Sequence, residues 1–159
     1  MNRKGSILDI LFIIVVVFVV SITVLIAGVL NTAFRNNVAA SGQLNATYFD
    51  KATTALHVFD YGMLMIVFGW GAAIWVLAWF VQSHPAFFMI NFIAWVIIVT
   101  ISATFTNMFI VFAQNPSIVA TAETFPIMIH IMQNLPLICM LIGAVAIIIA
   151  LGKSAGGRP

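Results

Sequence analysis

Residues whose types and spacing could do chemistry are few in this chain, and they gather in two places. The first is the segment Phe125-Pro126-Ile127-Met128-Ile129-His130-Ile131-Met132-Gln133-Asn134-Leu135-Pro136-Leu137. In a helix His130 and Asn134 lie one turn apart with Gln133 beside them, so an imidazole and two amides share one face. Pro136 has no N–H to offer the carbonyl of Met132, and a kink is expected there. Polar groups beside a loosened backbone could bind a proton or a small ligand. They could also bond to the freed carbonyl, to each other, or to Thr106 and Asn107 at the same depth in the preceding apolar run. A shared polar cluster of Asn107, His130, Gln133, Asn134 and Pro136, joining two helices, is the preferred reading of these residues.

The second place is Asp50, Thr53, His57 and Asp60, whose spacings of seven, three and four put them on one helix face. Two carboxylates and one imidazole could begin a metal site, but no fourth ligand stands nearby, and a solvated face is the expectation. A single cysteine, Cys139, excludes an intrachain disulfide and any CxxC redox or zinc arrangement, and it reads as a small buried apolar residue. No catalytic, cofactor or metal motif is present, so the chain is read as non-enzymatic and without a cofactor.

The elements that must position these residues are four long apolar runs at about 10–30, 61–82, 86–113 and 127–151, all free of Asp, Glu, Lys and Arg. About 20 apolar residues carry an α-helix across a bilayer core of about 30 Å, so each run is long enough to span. Apolar residues make up 64% of the 159 and charged residues 6%, with a mean hydropathy of +1.18. A water-soluble domain carries about 25% charged residues, so the bilayer is the solvent implied here. The fold class expected is therefore all-α: one membrane domain over 1–159, an antiparallel bundle of four transmembrane helices at about 7–30, 61–82, 86–113 and 127–151. An extramembrane loop at about 31–60 joins the first two helices.

Charge placement gives an orientation. Arg3 and Lys4 precede the first run, Lys153 and Arg158 follow the last, and the connections hold only Arg35 and Lys51. An even number of spans puts both ends on one side, and the positive excess makes that side cytoplasmic, N-in and C-in. The same four basic residues are candidates for contact with lipid headgroups or a protein shell. Six Lys and Arg spread over the chain form no stripe for sequence-specific nucleic-acid binding. The lack of ionisable residues at depth argues against an ion-coupled carrier.

Local signals refine this plan. Lys4-Gly5 before an apolar run resembles a type IV prepilin junction, but Ile10 stands where an acidic residue is expected, and a signal anchor fits better. Ser6-Ile7-Leu8-Asp9 matches a helix capping box. Turn formers from Asn31 to Asn45 predict a loop, whereas Thr47 to Tyr61 lacks Pro and Gly and reads as helix. Asn45-Ala46-Thr47 is a glycosylation sequon of a kind common by chance. The short link Gln82-Ser83-His84-Pro85-Ala86 predicts a tight hairpin with Pro85 in the first turn of the third helix. Gly69 and Ala73, four apart, suit close helix packing in lipid, and Trp70, Trp75 and Trp95 fall inside the runs, where protein contact is expected. In the third run Asn91, Ser102 and Thr106 share one side, and Thr100, Thr104 and Asn107 the other.

Ser83-His84-Pro85 before a Phe-rich run, Phe105-Thr106-Asn107, Gln133-Asn134-Leu135-Pro136-Leu137 and a tail with Gly-Lys and Gly-Gly pairs resemble hydrophobic membrane proteins of phages, including membrane-containing icosahedral ones. The resemblance covers much of residues 80–157. It implies a structural role in the lipid layer of a virion and carries over no catalytic residue. The expected function is a structural membrane protein, homo- or hetero-oligomeric, with the lipid bilayer and other membrane or capsid proteins as partners, in a virion's internal membrane or a host cytoplasmic membrane. Two alternatives stay open: a small channel, holin-like pore or transport accessory subunit using Asn91, Asn107, His130 and Asn134, and a non-catalytic subunit of a membrane enzyme complex.

Overall fold

A computed structural model describes residues 7–41, 47–80 and 85–156. They form α1 (Ile7–Ser41), α2 (Thr47–Phe80), α3 (Pro85–Ala113), α4 (Val119–Ala122), α5 (Pro126–Gln133) and α6 (Leu135–Gly156), with no strand among the described residues. Four helices, α1, α2, α3 and α6, are long and apolar enough to cross a membrane, which makes this a multi-pass membrane protein. The capping box at Ser6 and Asp9, the basic residues Arg3, Lys4 and Arg158, the sequon residues Asn45 and Ala46, and the link 82–84 lie outside the described positions or side chains. So does the Lys153 side chain, although α6 includes that residue.

Two elements differ from the hydropathy plan. The first helix does not stop near residue 30 but continues to Ser41, because residues 31–41 contain neither Gly nor Pro and their polar side chains reach the next helix. The Asn31 amide donates to the Phe49 carbonyl at 3.1 Å and to Thr53 Oγ1 at 2.8 Å. One turn further out, Arg35 pairs with Asp50 at 3.0 Å. The fourth run is not one helix but α5 and α6, separated at Asn134 and preceded by the single turn of α4. From Asp60 to Phe80, twenty steps of 1.5 Å make about 30 Å, so α2 has a full span's length below Asp60 and a polar extension above it.

The core lies where α1, α2 and α3 meet α5 and α6, with Ile14, Leu25, Met63, Phe109, Met128, Met132 and Leu135 almost fully enclosed. Two indoles fasten α6. Trp75 of α2 donates Nε1–H to the Ile142 carbonyl and Trp95 of α3 donates to the Cys139 carbonyl, each at 3.2 Å. Gly143 makes the second contact feasible, since any Cβ there would collide with the Trp95 ring. Close backbone approach through small residues is the usual basis of helix association in lipid, where apolar burial alone gives little drive. Only five of the 34 residues of α2 are buried, so most of that helix faces the surroundings of the bundle.

Candidate functional site

The start of α5 poses a backbone problem that a neighbouring helix solves. Its N-cap is Phe125, which has no side-chain oxygen, and its first residue is Pro126, which has no N–H to satisfy. The next two donors, Ile127 N–H and Met128 N–H, point at Asp60 of α2 and reach Oδ2 at 3.3 Å and Oδ1 at 2.6 Å. Phe125 N–H bonds to the Ala122 carbonyl and Ile129 N–H to the Phe125 carbonyl, so every donor at this end is accounted for. Asp60 is 3% exposed. Burying a carboxylate is costly, and two N–H donors and the positive end of the α5 dipole offset that cost here.

Phe125 is wedged between α1 and α2. A Cβ on Gly28 would stand 2.7 Å from Thr121 Cγ2 and 3.2 Å from the Phe125 ring, so glycine lets the α4–α5 connection lie directly on α1. From the other side the His57 ring stacks on Phe125 with centroids 5.2 Å apart and planes tilted by 33°. This arrangement corrects the expected solvated face of Asp50, His57 and Asp60. The three share a helix face, but that face is wet only at Asp50, which pairs with Arg35 with both side chains about half exposed. Seven to ten residues further on, the connection between α3 and α6 has folded over it and enclosed Asp60. No group of three or more metal-binding side chains occurs among the described residues.

At the other end of α5 the helix breaks at Asn134, whose φ of −104° and ψ of 11° leave the α-helical well. The proline kink expected at Pro136 thus takes the form of a discontinuity two residues earlier. The carbonyl of Met132, deprived of a partner by Pro136, accepts the Thr106 hydroxyl of α3 at 2.9 Å in a buried bond. Asn134 turns its side-chain amide back to the His130 carbonyl at 2.8 Å, and its backbone N–H bonds the same oxygen at 3.2 Å. His130, Gln133 and Asn107 have exposed side chains, while Asn134 and Pro136 are half-buried. His130 lines a shallow groove with Leu64, Pro126, Ile127 and Ile131, and Gln133 lines another of about 170 Å³ with Glu123. Of the α3 residues singled out beforehand, Thr106 bonds the α5–α6 junction and Asn91 faces outward. Gly69 and Ala73 are exposed, with open space around Gly69, and Gly71 is the glycine of α2 that meets α6, at Ile142.

No protein-family model, curated protein or solved structure matches this chain. The site is read from its own chemistry. Both oxygens of Asp60 are committed to amides. The arrangement clamps a broken span at both ends, with a carboxylate from α2 and a hydroxyl from α3. The sequence places Asp60 on a solvated face because it sits one residue before an apolar run, and the buried cap it provides is a role that reading did not include. The signal that could have found it is the Phe125-Pro126 pair, a helix start with no local cap.

Proposed function

We propose that this chain is a non-catalytic integral membrane protein whose four spans form an antiparallel bundle, N-in and C-in, that packs into a membrane-embedded assembly. The supporting observation is how its buried polar groups are used. Ser21, Ser102 and Thr106 each bond a backbone carbonyl, and Asp60 accepts two backbone amides. Among the described residues the Trp70 indole is the one buried side-chain polar group without a partner. Asp60 and Thr106 thereby act as joints between helices, while the Ser21 and Ser102 hydroxyls are spent on carbonyls of their own helices. The pairings of 95 with 139 and of 106 with 132, in which the second number falls as the first rises, support an antiparallel arrangement of the third and fourth spans.

The outward face supports assembly in lipid. Phe68, Val76, Phe80, Val111 and Ile148 project from the bundle, and Gly62 and Gly69 leave open strips on α2. A virion's internal membrane, between lipid layer and protein shell, is the setting that the resemblance to phage membrane proteins favours. Arg3, Lys4, Lys153 and Arg158 would then meet anionic headgroups or the shell, at about 1 kcal/mol each near a charged surface. The test is to purify the native assembly in mild detergent, cross-link it and identify the neighbours. Stoichiometric structural partners are expected. Ion conductance in reconstituted liposomes, abolished by His130→Ala with Asn134→Ala, would overturn the reading in favour of a pore.

A further inference from the structure

Four features of α5 combine. It has eight residues, about two turns, and a helix that short does not hold itself together in isolation. Its cap is not local: among the described residues the side chain bonding its first amides belongs to α2, 67 and 68 residues away in the chain. Its far end is a joint, where Asn134 leaves the helical conformation and Pro136 withholds the hydrogen bond that would fuse α5 to α6. The third contact, Phe125 between Gly28 and His57, is an apolar wedge without a hydrogen bond.

We infer that α5 is a hinged segment latched by the negative charge of Asp60, and that protonation of this carboxylate releases the α5 N-terminus while Asn134 and Pro136 serve as the hinge. A carboxylate accepts from both amides at once. A carboxylic acid keeps one good acceptor and turns a hydroxyl donor toward a donor, so one amide loses its partner and the dipole its counter-charge. Among the described residues no basic side chain is in position to take over. On α2 itself His57 stacks on Phe125; on α1 Arg35 is paired with Asp50; on α5 His130 is exposed; and in the α4–α5 connection Glu123 is exposed. Release would uncover Phe125 and Met128, now enclosed, as a new apolar surface at the end of the bundle. This device is independent of whether the protein is structural or a pore.

The test is hydrogen–deuterium exchange with mass spectrometry on the full chain in lipid nanodiscs, read over 125–133 and over α2 and α3. Asp60→Asn is expected to raise exchange in 125–133 by about tenfold, the factor corresponding to a lost helix cap, with α2 and α3 unchanged. Unchanged exchange in 125–133 would overturn the inference. Should Asp60→Asn loosen every helix, the deciding measurement is a His57→Phe/His130→Gln chain that keeps Asp60, compared at neutral pH and below the ordinary carboxylate range, after correction for intrinsic exchange. Loss of protection confined to 125–133 on acidification supports the latch, and uniform loss or no loss overturns it.

Discussion

Replacing Thr106 by Val tests whether the broken fourth span is held by one hydroxyl. The two side chains have nearly the same shape, so the change removes the 2.9 Å bond to the Met132 carbonyl and little packing. That carbonyl has no backbone substitute, because the residue four positions on is Pro136. Interhelical hydrogen bonds in membrane bundles average about 0.6 kcal/mol and reach about 1.7. A buried carbonyl left without any donor belongs at the upper end, so Thr106→Val should cost about 1.5 kcal/mol. Pro136→Ala supplies the missing N–H at the position where a continuous helix would bond Met132. In that background Thr106→Val should cost less than about 0.5 kcal/mol, leaving a coupling of about 1 kcal/mol. The assay is reversible unfolding in mixed micelles with increasing sodium dodecyl sulfate, followed by tryptophan fluorescence for all four chains. Equal costs of Thr106→Val in the two backgrounds would refute the reasoning, since the hydroxyl would then not be standing in for the proline's absent amide.

Three further outcomes follow from the same geometry. Gly28→Val should destabilise the bundle by about 1–3 kcal/mol, because even its Cβ meets Thr121 Cγ2 at 2.7 Å, and the same detergent titration measures it. Gly69→Ala should leave that titration within about 0.5 kcal/mol of wild type in monomeric micelles, since nothing lies within 4 Å of the added carbon. Arg35→Ala should cost less than about 1 kcal/mol and show no dependence on salt above physiological strength, because both partners of its ion pair with Asp50 are about half exposed.

Hydropathy alone located the helical spans because about 20 consecutive apolar residues have few other uses. It could not see that α1 runs on to Ser41. The residues from Asn31 onward look like turn formers one by one, and only the partners across the gap, Phe49, Thr53 and Asp50, make them a helix face. Pro136 was legible as a disruption of the fourth run, and the polar residues around it as candidates for the freed carbonyl. Which one takes it was not, since Thr106 and Asn107 are adjacent in sequence and differ by about 100° around α3. The enclosure of Asp60 was hidden for a different reason. A carboxylate next to an apolar run reads as the place where the chain leaves the membrane, and nothing local says that a segment 67 residues later will close over it.

The two prolines that bound α5, Pro126 and Pro136, stand ten residues apart, and each creates a backbone deficit. Pro126 starts a helix after a residue that cannot cap it, and Pro136 strands the Met132 carbonyl. In hydrocarbon such a deficit left unmet costs more than an average interhelical hydrogen bond returns. Asp60 of α2 meets the first and Thr106 of α3 meets the second, so α5 is tied at its two ends to two different spans. Sliding either span by one residue would turn its polar group about 100° away and expose both the group and its partner. Apolar contacts such as Phe18 against Phe105, at 4.6 Å, impose no comparable penalty, because one methyl or ring in lipid serves about as well as another. Asp60 and Thr106, the two buried polar groups among the described residues that bond across helices, therefore act chiefly on register. They select one arrangement of the helices from many of similar packing energy.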